Sequence, residues 1–242
     1  MDKYALFLSL ALLSEIIGTV SGFGSSILFV PIASLFFEFK TVLGITAVFH
    51  VFSNLSKIVL FRKGIHKDIA LKLGIPAIVF VLIGAWLTTL IPTEKLSLFM
   101  NMAIVLLSVY LIINFNKPIQ QNNTNLYIGG TVSGFLAGLV GTGGAIRGIT
   151  LAAFQLPKEI FLATSALIDL GVDSSRAAIY VGNGYFRKEF LCLIPFLISI
   201  SILGSYIGKL ILLKTSERIF RYIVLGVIII TALFQVITVV YK

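Results

Sequence analysis

The chain has 242 residues, of which 58% are hydrophobic and only 12% charged, with a mean hydropathy of +1.05. A soluble domain carries about 25% charged residues and needs them to cover its outside, so a water-soluble fold is excluded. The 19 Lys and Arg outnumber the 10 Asp and Glu without forming a long basic block, which fits the loop bias of membrane proteins and excludes a nucleic-acid footprint.

The first 20 residues imitate a secretion signal. They open on Asp2-Lys3, lack a small-x-small cleavage site and run into Gly22-Phe23-Gly24-Ser25-Ser26, so the stretch is expected to be retained. Apolar runs fall at about 4–20, 24–37, 42–61, 69–91 and 96–115, and after a polar linker at about 126–140, 143–156, 160–182, 190–213 and 219–241. Runs of this length predict helices rather than barrel strands. The expected fold is an all-α polytopic membrane protein with about 7–10 apolar helical segments. The lone Cys192 sits in an apolar stretch and reads as buried packing. It offers no disulfide framework and no metal cluster, and no cofactor is expected.

One constant offset of 119 residues relates the two halves. It places Gly22 on Gly141, Gly24 on Gly143 and Pro76 on Pro195, and it carries His50, Asn54 and Lys57 onto Asp169, Asp173 and Arg176. Polar residues in apolar spans are scarce, so this agreement predicts two internal repeats. They comprise residues 1–115 and 126–242, joined by the Asn-rich linker 116–125. Each repeat reads as two short segments and three long ones. The segments 4–20 and 24–37 together would rise about 50 Å, too much for one crossing, while each alone is at or below a span. If each short pair makes no net crossing, the repeats are inverted, and both basic loops, Arg62 to Lys67 and Lys209 to Arg221, lie on one side. If each pair counts as one broken crossing, they lie on opposite sides. The positive-inside rule favours the inverted arrangement.

Glycine-interrupted short segments in matching places of two halves point to a transporter's central site. In the second half Gly141, Thr142, Gly143 and Gly144 would expose N–H groups at a half-helix start, a place that favours anions. Arg147 follows within one turn and adds a planar donor fork. Gly24, Ser25 and Ser26 are the first-half counterpart. The competing reading is that these glycines only permit close helix packing. Asp169, Asp173 and Arg176 share one helix face. They read either as an internal salt bridge or as a pathway in which Arg176 meets an anion and an Asp carries a proton. The matching face of His50, Asn54 and Lys57 would make the cavity mixed and mostly cationic. Glu15 lacks a cation nearby in sequence and is the preferred proton carrier, unless it is an end-of-helix residue near water. The P-loop, the nucleophile elbow and the zinc-protease motif are missing, so an enzyme is not expected.

The stretch Gly22 to Pro31 resembles the opening motif of the TauE/SafE family of sulfite and organosulfonate exporters. Gly138 to Arg147, Ala163 to Ala166, Asp169 to Arg176 and Tyr180 resemble that family's second repeat more closely. Two departures stand out: Ser25-Ser26 replaces glycines common in the family, and Thr150 stands where a Pro could be. The resemblance implies a secondary transporter in the cell membrane for small sulfur anions such as sulfite, thiosulfate or organosulfonates, with export the expected direction and proton coupling a candidate. Its partners would be that anion, the lipid bilayer and a candidate second copy of the chain. The alternative is an anion channel or a regulatory membrane scaffold.

Overall fold

The computed structural model describes residues 2–61, 64–96 and 120–216, together with 98, 99, 102, 106, 219 and 222. The segments expected at 96–115 and 219–241 fall mostly outside the described residues, as do 116–119 of the linker. The described chain is helical: α1 (Asp2–Ser21), α2 (Ser26–Ala33), α3 (Phe39–Leu60), α4 (Lys67–Leu90), α5 (Asn123–Val140), α6 (Gly144–Ala153), α7 (Lys158–Gly182), a 3₁₀ segment (Lys188–Leu193) and α8 (Ile194–Leu213). Four stretches are long and apolar enough to cross a membrane: Lys3–Ser21, Phe39–Leu60, Lys67–Leu90 and Lys188–Leu213. The protein is an all-α polytopic membrane protein.

The first short pair is less symmetric than expected. At 20 residues α1 rises about 30 Å, enough to cross, whereas the 8 residues of α2 rise about 12 Å. After Gly22, which holds φ at 76° as few residues but glycine can, α2 doubles back along α1. A Cβ on Gly18 would lie 2.5 Å from Ser25 backbone, and the Phe7 ring packs 5.6 Å from Phe36. The end of the polar linker is helical: Asn122 caps α5, its side chain accepting from Asn125 N at 2.8 Å.

The elements recur at the spacing read from the sequence. Moved by 119 residues, Ser21 falls on Val140, the last residue of α5, and Phe39 falls on Lys158, the first of α7. Helices α3 and α7 cross antiparallel, because His50 meets Arg176 while Asn54 meets Asp173. Two apolar cores lie along this crossing. One gathers Phe7, Phe29, Leu43, Phe49 and Tyr180, and the other gathers Phe23, Leu73, Leu151, Phe161 and Leu162. The buried charges of these two helices are Lys57 on α3 and Asp169, Asp173 and Arg176 on α7.

Close packing uses small residues. Gly130, Gly134 and Gly138 on α5 lie against the carbonyls of Leu73, Ala77 and Val81 on α4, where an added Cβ would come within 2.2 Å of each oxygen. Without a hydrophobic drive between helices in lipid, such seams hold spans together. The opposite face of α4 exposes Leu71, Ile75, Val79, Leu82, Trp86 and Leu90. In water that face would be an aggregation surface; in lipid it is the solvated side. Cys192 is exposed rather than buried, because the 3₁₀ segment turns it outward and its Sγ reaches only Glu189 O at 3.4 Å.

Candidate functional site

The two helix breaks meet. Ser26 Oγ lies 3.4 Å from Thr142 Oγ1, and Arg147 Nη2 donates to Phe23 O at 3.3 Å across 124 residues of sequence. Ser25 at the start of α2 makes no capping hydrogen bond with its side chain, and Gly143 at the start of α6 has no side chain to cap with. Both ends therefore offer backbone N–H groups, and the positive end of a helix dipole, toward the same point. That point is a cavity lined by Gly24, Ser25 and Ser26 from one break and Gly141, Gly143 and Gly144 from the other. Its free space admits little more than one water molecule.

Three cations and three carboxylates surround this space, and each cation has its acid. Arg147 Nη1 pairs with Asp169, while its Nε donates to Ser165 Oγ at 3.3 Å. Arg176 pairs with Asp173 at 2.7 Å and also donates to the carbonyls of Gly141 (2.7 Å) and Ala137 (3.1 Å) at the end of α5. Those are orphan carbonyls of a helix C-terminus, so Arg176 is a cap as well as a charge. Lys57 pairs with Glu15 at 2.9 Å. Glu15 has no cation nearby in sequence, yet Lys57 reaches it from 42 positions away, because α1 and α3 both pack on α8. The lining itself carries Lys57, Arg147 and Arg176 against Asp169 and Asp173, and Glu15 behind it supplies the third acid.

A chain of hydrogen bonds links these pairs. A guanidinium can only donate, so Arg176 Nη2 donates to His50 Nδ1 at 3.3 Å. The proton of His50 then sits on Nε2, which donates to Ser25 Oγ at 2.9 Å, and Ser25 donates to Glu15 Oε2 at 2.6 Å. Glu15 further accepts from Ser53 (2.7 Å), Ser205 (2.9 Å) and Thr19 (3.3 Å). Asn54 Nδ2 donates to Asp173 Oδ2 at 2.7 Å. These two positions are separated by the 119-residue offset read from the sequence.

Of the fifteen candidates read from the sequence, Glu15 and Thr142 alone do not line the cavity, Glu15 acting behind it and Thr142 touching Ser26 at its edge. Ser53, Ser165 and Ser205 were missed. Ser53 shares a face with Lys57 four residues on, a legible signal, whereas Ser205 arrives from α8 and left none. A search of curated proteins finds no match, and neither does a search of solved structures. The family described as Sulfite exporter TauE/SafE matches residues 6–234. With nearly the whole chain covered, this protein belongs to the TauE/SafE sulfite exporter family.

Proposed function

We propose that the chain is a secondary transporter that exports small sulfur oxyanions across the cell membrane, loading them where the two helix breaks meet. The observation that carries the reading is this meeting of two uncapped half-helix N-termini beside Arg147, a donor set suited to a pyramidal or tetrahedral oxyanion. Two inverted repeats, residues 1–115 and 126–242, supply one break each; the antiparallel crossing of α3 and α7 supports this. The small size of the cavity favours a transporter over a channel, since its free space holds about one water and a channel needs a continuous wet path.

Charge balance bears on coupling. With His50 neutral the layer is neutral, and adding an anion to a buried neutral layer costs several kcal/mol unless another charge changes. Asp169 is the group placed to change. Arg147 is its one direct partner among the described residues, and its carboxylate borders the cavity. A proton on Asp169 frees Arg147 for the substrate and keeps the layer neutral with a monoanion bound. Glu15, saturated by five donors, is not the carrier in this reading. The membrane potential expels an uncompensated anion with about 2.3 kcal/mol per charge per 100 mV. A monoanion that carries the Asp169 proton with it moves no net charge, and its direction then follows the anion and pH gradients.

The test is flux in proteoliposomes at zero potential with an imposed pH gradient, comparing sulfite, thiosulfate, taurine and carboxylate controls. Saturable sulfite flux that follows the pH gradient, and is lost in Asp169→Asn, is the expected result. Carboxylate flux equal to sulfite would overturn the substrate class, and pH-driven flux surviving Asp169→Asn would overturn the coupling residue.

A further inference from the structure

The two halves of the charged layer are not in the same state. A second chamber adjoins the central cavity and shares Gly24, Asn54, Lys57 and Asp169 with it; beyond them it is lined by Gly18, Gly22, Leu162, Ser165 and Ala166. This chamber lies toward the end of the molecule where the loop after α3 meets α7, His66 N donating to Thr164 Oγ1 at 2.9 Å. The 119-residue offset gives each of its residues a counterpart on the opposite side. The counterparts of Leu162, Ser165 and Ala166 are Leu43, Thr46 and Ala47, and these line neither chamber.

The side chains show what differs. On the chamber side Lys57 is turned away onto Glu15 and Ser53, and the Gly22 carbonyl accepts instead from Ser165 Oγ at 3.3 Å. On the opposite side Arg176, the counterpart of Lys57, lies across the end of α5 and takes the Gly141 carbonyl, the counterpart of Gly22. Thr46, the counterpart of Ser165, makes no such bond. Its hydroxyl is fully buried and is the one buried side-chain polar atom without a hydrogen-bond partner among the described residues. A buried orphan hydroxyl costs about 1–3 kcal/mol, and such a group calls for a reason.

We infer that Lys57 and Arg176 are alternating gates and that Thr46 is left without a partner because its partner belongs to the other state. In that state Arg176 releases the Ala137 and Gly141 carbonyls, Thr46 donates to Gly141, and a chamber lined by Leu43, Thr46 and Ala47 forms on the second side. Lys57 swings from Glu15 to the Gly18 and Gly22 carbonyls and closes the first. Each state leaves one hydroxyl of the Thr46 and Ser165 pair without its carbonyl, and Glu15 keeps its four hydroxyl donors when Lys57 leaves it. This assignment rests on the reading of two inverted repeats that transport an anion.

The test reads conformation rather than flux, so the two readings fail separately. In a Cys192→Ser background, single cysteines at Ala166 and Ala47 are labelled with a membrane-impermeant methanethiosulfonate in proteoliposomes open to reagent on both sides. Thr46→Val removes no contact present here and is expected to preserve folding. It should slow labelling at position 47 about five-fold, the population shift of one hydrogen bond, and speed or leave saturated labelling at position 166. Arg176→Gln should do the reverse at position 47. Unchanged labelling at position 47 in Thr46→Val overturns the gate assignment, even if Arg176→Gln fails to fold. Reciprocal labelling without any sulfite flux would sustain the gates and overturn the substrate reading.

Discussion

Glu15 and Asp169 are both buried carboxylates facing a cation, and their surroundings differ. Glu15 accepts from Thr19, Ser25, Ser53 and Ser205 in addition to Lys57, and it lines neither chamber. A carboxylate has about four lone-pair sites, so five donors leave nothing for a ligand to compete with. Among the described residues Asp169 pairs with Arg147 alone, and it borders both chambers. The first joins α1, α3 and α8 at a node whose four hydroxyl donors hold it with or without Lys57; the second has its one ion-pair partner at the cavity wall. An acid inside an apolar run is the same signal in both cases, and the number of donors around it separates lock from switch.

The comparison can be broken at the frame first. Glu15→Ala leaves the Lys57 ammonium buried without its acid, and losing one partner of a buried pair costs about 3–5 kcal/mol. Thermal unfolding in detergent should show the largest loss of this set; a parental Tm would mean Glu15 is not a lock. Next comes the glycine seam. Gly134→Ala drives a Cβ to 2.2 Å from the Ala77 carbonyl, which as backbone cannot yield, and overpacking of this kind costs about 1–3 kcal/mol. Gly74→Ala sharpens the contrast, because its Cβ would sit 3.4 Å from the Ile168 side chain. That variant should unfold at or slightly above the parental temperature, helped by a stiffer unfolded chain. The smallest effect is expected at Arg187→Ala. Its pairs with Glu38 and Glu189 are solvated, and removing them should change stability by no more than about 0.5 kcal/mol.

Much of the fold was legible because hydropathy and the 119-residue offset depend on local chain properties. The breaks at Gly22 to Ser26 and Gly141 to Gly144 were visible as glycines flanked by apolar runs, and they meet as expected. Pairing within one helix was legible, since Arg176 takes Asp173 three residues away as its spacing allowed. Pairing across helices was not: Lys57 joins Glu15 and Arg147 takes Asp169, choices that follow from how α1 and α3 gather on α8 and how α6 meets α7. Spacing along one helix carries no information on that. Cys192 misled for a related reason: in a membrane protein an apolar neighbourhood in sequence fits a lipid-facing surface as well as a core.

The central claim is that Arg147 receives the substrate and Asp169 competes for it, which makes the two partners of one ion pair act with opposite sign. Sulfite binding to purified protein at alkaline pH, measured by titration calorimetry on the parent, Arg147→Lys and Asp169→Asn, tests this directly. Arg147→Lys should weaken binding about ten-fold or more, because an ammonium cannot reproduce the fork. Asp169→Asn should tighten it by a similar factor, because Arg147 is then free of its carboxylate. Binding weakened equally in both variants, or unchanged in both, would contradict the account.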